Sequence, residues 1–176
     1  MIYYSDGSCS TTYTSSKTVA GIVVKDNELV MSQIASSTMA WGTYSMNISG
    51  LTDYGSDTEA KTDDNGKSNT AAIIAGDSGV VAAKYCNDYT TAGTGAGDWY
   101  LPAAGELYSY VYGNYSTINT TMTTLGWSWG GTYYYFWSSS EYGRQFAWVV
   151  NLVSGVVRYD VKDEPRANSV SCFLNI

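Results

Sequence analysis

The sequence predicts an α+β fold, with strands toward both ends and short helices between them. Three observations predict it: an apolar hairpin near the start, three stretches of helical spacing in the middle, and a change to period two after Trp127. Residues 1–35 read as β structure. Ile22-Val23-Val24 is a short apolar strand, Asp26-Asn27 a turn, and Leu29-Val30-Met31 the return strand. Residues 42–67 are polar and glycine-rich without a period and read as loop, with a turn at Asp63-Asp64-Asn65-Gly66.

Residues 69–87 form the first helical stretch. Ser68 or Asn69 can cap it, and Asp77-Ser78-Gly79 can break it in two. Pro102 suits the start of the next, along which Glu106, Leu107, Tyr110 and Val111 recur at helical spacing. Ile118, Met122 and Leu125 mark a third, ended by Gly126. Beyond it, Trp148, Val150 and Leu152 alternate with Val149, Asn151 and Val153, as in a half-buried strand. Ser154-Gly155 turns the chain, 156–161 returns, 162–168 is a polar loop, and 170–174 makes a closing strand. With no internal repeat and no linker, residues 1–176 read as one domain.

A chain of 176 residues buries enough surface to fold without a metal or a disulfide framework. Net charge is −7 and the nine Lys and Arg are scattered, which disfavours a nucleic-acid partner. No apolar run is long enough for membrane insertion, and Met1-Ile2-Tyr3-Tyr4-Ser5-Asp6 has neither the basic nor the apolar part of a signal peptide. There is no histidine, so serine–histidine and cysteine–histidine nucleophile systems are excluded. Cys9, Cys86 and Cys172 lie too far apart for a zinc-ligand spacing, and no cofactor is expected.

The chain carries 17 Tyr, 6 Trp and 18 Gly among many Ser, Thr and Asn. One reading is a loop-rich surface protein. Another is a recognition surface, in which Tyr and Trp give contact area and Ser, Gly and Asn give adaptable hydrogen bonds. Asp63, Asn65 and Gly66 match part of a calcium loop, but Lys61 stands where its first ligand belongs, so a solvated turn is favoured. Asp98 suits a turn that holds local amides, and Glu106 reads as a surface or supporting residue. Glu141 could serve one half of a glycosidase carboxylate pair, with Asp160, Asp163 or Glu164 as mate, although spacing alone brings none of them near.

Gly97-Asp98-Trp99-Tyr100-Leu101-Pro102 with Glu106-Leu107, then Trp137-Ser138-Ser139, Ala147-Trp148 and Gly155, occur in an order that resembles a bacterial and phage branch of the C-type lectin fold. That branch includes the variable proteins of diversity-generating retroelements, such as phage tropism determinants, and the C-terminal domain of a collagen-like bacterial adhesin. The resemblance implies a C-type lectin-like α+β domain, with short helices packed on twisted antiparallel sheets and close termini, and a non-catalytic, ligand-binding role. It implies that 137–176 is a variable binding segment. Tyr142, Arg144, Gln145, Phe146, Val149, Asn151, Arg158, Tyr159, Asp160, Lys162, Glu164 and Arg166 would then be its exposed contact residues.

The implied partner is a protein or glycan receptor on a cell surface, met by an extracellular, cell-surface or virion protein, and the resemblance admits a homotrimer. It also implies a helix-to-last-strand disulfide between Cys86 and Cys172, with Cys9 left over. Glu164-Pro165-Arg166 lacks the Asn of the calcium-dependent sugar-binding lectins, so that mode is not implied. The fold is similar as well to formylglycine-generating enzymes, but the cysteine pair of that chemistry is missing. A glycan-active enzyme using Glu141 and a structural fibre module stand as the alternatives.

Overall fold

The computed structural model describes residues 1–26, 28–130, 133–166 and 168–176. Asn27 of the expected turn and Ala167 of the expected polar loop lie outside them. The chain forms β1 (Ile2–Tyr4), β2 (Cys9–Ser10), β3 (Val19–Lys25), β4 (Leu29–Met31), α1 (Asp57–Ala60), α2 (Gly66–Gly76), α3 (Ala82–Asp88), β5 (Trp99–Tyr100) and α4 (Ala104–Glu106). α4 runs on through a wide π turn (Leu107–Val111) and a tight 3₁₀ turn (Tyr112–Asn114) into α5 (Tyr115–Leu125). β6 (Tyr135–Gly143), β7 (Phe146–Asn151), β8 (Val157–Val161) and β9 (Phe173–Asn175) complete it.

Two antiparallel sheets result. The larger has the order β2-β1-β3-β4-β9-β5, and the smaller is the meander β6-β7-β8. The expected hairpin is β3–β4, with Ile22 opposite Met31 and Val23 opposite Val30. The closing strand inserts between β4 and β5, pairing Val30 with Leu174 and Trp99 with Leu174. β1 and β9 are therefore three strand spacings apart, about 14 Å.

The helices end where local chemistry stops them. Asp77 separates α2 from α3. Its buried carboxylate accepts from the Thr43 amide (2.8 Å), the Thr43 hydroxyl (2.7 Å) and the Gly79 amide (2.8 Å). Burial alone would raise the pKa of this acid, but those donors outweigh it and hold it below the ordinary carboxylate range. α5 buries Ile118 and Met122, while Thr120, Thr121, Thr123 and Thr124 bond back to carbonyls four residues earlier. Gly126 closes it at φ +68°, in the left-handed region where glycine carries no steric cost. At the start of α2 the cap position falls to Asn65, not Ser68 or Asn69. Asp63 receives both the Asn65 amide (3.1 Å) and the Asn69 side chain (2.8 Å) there.

Two hydrophobic cores flank the sheets. One holds Ile22, Met31, Leu107, Val111, Met122, Phe136, Trp148, Val150 and Phe173. The other holds Val23, Val30, Trp41, Ile48, Ile73, Trp99, Trp137, Ala147, Val149 and Val170. β7 thus buries both faces, Trp148 and Val150 into one core and Ala147 and Val149 into the other. This corrects the expectation of a half-buried strand and of an exposed Val149, which is 0% exposed. The second face is covered by the segment around Trp41 and Ile48, whose indole N–H donates to the Ser138 carbonyl (2.8 Å). The stretch 42–67 is therefore not loop throughout; it carries α1 and supplies core residues. Cys86 of α3 and Cys172, next to β9, form a disulfide with Cα atoms 5.3 Å apart, and Cys9 is exposed and free.

Candidate functional site

The site rests on β6, whose residues from Phe136 to Glu141 are all buried. Each polar side chain there has a partner. The Trp137 indole donates to the Met39 carbonyl (2.8 Å) and the Ser138 hydroxyl to the Trp148 carbonyl (2.8 Å). The Ser140 hydroxyl donates to Asp63 (2.6 Å) and accepts from the Ala104 amide (2.9 Å). The Ser139 amide reaches the Pro102 carbonyl (2.8 Å). The two sequence motifs, 97–102 and 137–139, are thus bonded to each other and form the frame under the site. Asp63 is spent on these hydrogen bonds rather than turned to solvent as the calcium-loop or solvated-turn readings required.

Glu141 and Lys162 form an ion pair in which both side chains are 0% exposed. The Lys162 ammonium also donates to the Met46 carbonyl (2.6 Å) and lies 4.6 Å from the centre of the Trp41 ring. The Ile48 amide donates to both Glu141 oxygens at 3.3 Å. Burial pushes the Glu141 carboxyl up, against the pull of Lys162. Two expectations fall here. Lys162 is not an exposed contact residue, because a buried carboxylate needs its charge. Glu141 is not placed to protonate a glycoside, because no substrate reaches a sealed pair.

Glu106 also differs from expectation. It is 5% exposed, and its carboxylate takes the Tyr100 hydroxyl (2.9 Å) and the Ala103 amide (2.8 Å). Burial raises its pKa to about 7 against those two donors. Asp98 does what a turn residue does, accepting the Gly95 amide at 2.7 Å.

The remaining candidates fall into four places. Tyr142, Phe146 and Tyr159 cluster on one face of the small sheet over buried Trp148. Tyr142 and Tyr159 stack with ring centres 4.2 Å apart, Phe146 meets Tyr159 edge-on at 5.1 Å, and Tyr159 is 46% exposed. Beside them is the β6–β7 hairpin tip, with exposed Arg144 and half-buried Gln145. A groove of about 500 Å³ runs there between Tyr142, Arg144, Gln145, Phe146 and Ser45.

Arg158 and Asp160 share β8 with Tyr159 but face the other way. The Arg158 guanidinium lies 3.9 Å over the Tyr135 ring, and Asp160 accepts the Asn168 side chain at 3.0 Å. Asn151 is at the far end of β7, about 17 Å of strand from Phe146. Its side chain shapes the next turn by accepting from the Val153 and Ser154 amides (3.0 and 2.9 Å). Glu164 and Arg166 belong to the loop after β8, where the Glu164 carboxylate accepts the Arg166 amide (2.9 Å).

Of the twelve expected contact residues, the fold therefore unites Tyr142, Arg144, Gln145, Phe146 and Tyr159. It adds Ser45, which sequence reasoning missed. Ser45 sits at φ +64°, unusual for a residue with a side chain, but in an aperiodic stretch its place beside the hairpin leaves no sequence signal. Tyr135, under the Arg158 guanidinium, lies on the opposite face at the Asn151 end of the sheet and takes no part in the groove.

No protein-family model matches the chain, and no curated protein sequence does. Among solved structures, the fold is similar to that of a fimbrial protein from Bacteroides ovatus ATCC 8483, with a TM-score of 0.69 at 15% identity. The similarity covers 99% of this chain and 48% of that one, so the chain spans about half the length of its structural neighbour.

Proposed function

We propose that this chain is a non-catalytic ligand-binding module of an adhesive surface structure, and that the β6–β7 hairpin tip with its aromatic cluster is the contact surface. The observation that carries the reading is the aromatic cluster of half-buried Tyr142 and Phe146 with exposed Tyr159, opening onto a groove edged by Arg144 and Gln145. Aromatic rings with an arginine beside them are the usual anchors of protein and glycan recognition. The fimbrial neighbour and the C-type lectin-like sequence motifs support a place on a cell or virion surface. A disulfide suits an oxidising compartment.

If the C-terminal segment is diversified in the manner of retroelement variable proteins, the tolerated positions are the exposed ones. Val149 and Lys162 are outside that set, since variation there would open a core or strand a buried charge.

A labelled preparation screened against a glycan array and intact bacterial cells tests the proposal. Arg144→Ala with Gln145→Ala should weaken any binding found by at least about tenfold, a change of about 1.4 kcal/mol, without lowering the melting temperature. Full binding by that variant would exclude the hairpin tip as the contact surface. A screen without hits, together with stable self-association, would favour a structural fibre module.

A further inference from the structure

β8 is an edge strand. Its neighbour β7 takes the main-chain groups of alternate residues. The Val156 carbonyl accepts the Asn151 amide (2.8 Å), and the Lys162 amide donates to the Gln145 carbonyl (3.0 Å). In an extended strand successive residues turn their N–H and C=O to opposite sides, so Arg158 and Asp160 also face β7, and Val157, Tyr159 and Val161 face outward. The Val161 amide is taken by the Asp160 carboxylate (2.9 Å). The main chain of Val157 and Tyr159 has no outward hydrogen-bond partner among the described residues. Arg158 and Tyr159 project from opposite faces of the strand and both are exposed, while Val157 at its start is buried in the first core and α1 lies against the strand.

The sequence along this edge is Val157-Arg158-Tyr159-Asp160-Val161. Read from Tyr159 outward in either direction it is an aromatic centre, a charge, then a valine, and the two charges are opposite. We propose that β8 pairs antiparallel with β8 of a second copy about a two-fold axis through Tyr159, joining the two three-stranded sheets into one of six.

In that register Tyr159 lies opposite its own mate and exchanges two main-chain hydrogen bonds with it. Arg158 of each copy lies opposite Asp160 of the other, giving two opposite-charge cross-strand pairs, and each Val157 meets a Val161. An identical strand shifted by two residues would set Arg158 against its own kind or against Lys162, so charge fixes the register. The same residues that recognise the mate discourage other strands, as charges on an edge do. The axis is perpendicular to the sheet. Both Tyr142–Tyr159 stacks therefore emerge on one side, and the hairpin-tip grooves of the two copies face the same way. Five residue pairs bury less than the roughly 800 Å² per partner of a standard interface, so the dimer is a weak one that a shared scaffold would reinforce.

Sedimentation velocity up to millimolar chain concentration tests the pairing. The wild-type chain should show a reversible monomer–dimer equilibrium. Arg158→Asp and Asp160→Arg, each placing like charges opposite one another, should raise the dissociation constant at least tenfold. The double reversal should restore it. A covalent readout is independent of any loss of folding in those variants. Tyr159→Cys in a Cys9→Ser chain should form an intermolecular disulfide on oxidation, because the paired Cα atoms would lie about 5.5 Å apart. Val153→Cys, exposed but off the edge, should not. A monomer at every concentration, a trimer, a dimer indifferent to the charge reversals, or no preferential crosslink at 159 would each overturn the proposal.

Discussion

Replacing Lys162 by Met isolates the energetics of the sealed ion pair. Met keeps most of the side-chain length and the packing over the Trp41 ring, but removes the ammonium. Glu141 then retains only the Ile48 amide at 3.3 Å, and the Met46 carbonyl loses its donor. Breaking a buried pair from one side costs about 3–5 kcal/mol, because an uncompensated charge stays in the interior. For a domain of this size that lowers the melting temperature by about 6–20 °C. Urea unfolding followed by fluorescence, with the disulfide intact, measures the free energy directly.

Two further features belong to the same prediction. The Glu141 carboxyl, already pushed up by burial, rises further without Lys162. A group whose folded pKa exceeds its unfolded one binds its proton more tightly in the native state, so Lys162→Met regains stability as pH falls from neutrality toward the ordinary glutamate range. Glu141→Gln with Lys162→Met should recover much of the loss, since neither charge is then buried alone. A single-variant cost under about 1 kcal/mol at pH 7 would refute the reasoning, because it would mean that water reaches the pair.

Two other outcomes are expected. Glu106 has a folded pKa of about 7 against an ordinary 4.5, so its ionisation penalty is absent below pH 4.5 and complete above pH 7. Glu106→Gln should therefore remove a decline of about 3 kcal/mol in unfolding free energy over that window, read from urea titrations at a series of pH values; an unchanged slope would count against it. Reduction of the Cys86–Cys172 bridge, which spans 86 residues, should cost about 4–5 kcal/mol in the chain-entropy view. Calorimetry with and without reductant reads that loss, and two free thiols found in non-reduced protein by mass spectrometry would remove its basis.

The elements visible in the sequence are those whose signal is local. The break at Asp77 announces itself as Asp-Ser-Gly, the end of α5 as Gly126, and the first hairpin as two apolar triplets around a turn. What sequence periodicity reports is one buried face. It could not reveal that β7 buries a second, because the cover comes from Trp41 and Ile48 in a stretch with no period. The burial of Lys162 followed from the same cause, since only the arrival of that stretch places Glu141 and Lys162 under a lid. The aromatic members of the candidate site, Tyr142, Phe146 and Tyr159, were legible because they fall in the C-terminal segment where the family resemblance places the binding surface. Their separation from Asn151, Glu164 and Arg166 was not, because it depends on which end of the meander each residue occupies.

The Cys86–Cys172 bridge has a mechanical meaning. The whole β6-β7-β8 meander, with the aromatic cluster and the hairpin-tip residues Arg144 and Gln145, lies between the two cysteines. A pull applied to the two ends of the chain runs from α3 to the last strand through the sulfur atoms and bypasses everything enclosed. Strands outside the loop can be peeled away under load. The contact surface inside it bears no tension until the bridge itself is cut, so a tether built on this domain would strain its anchor before its grip.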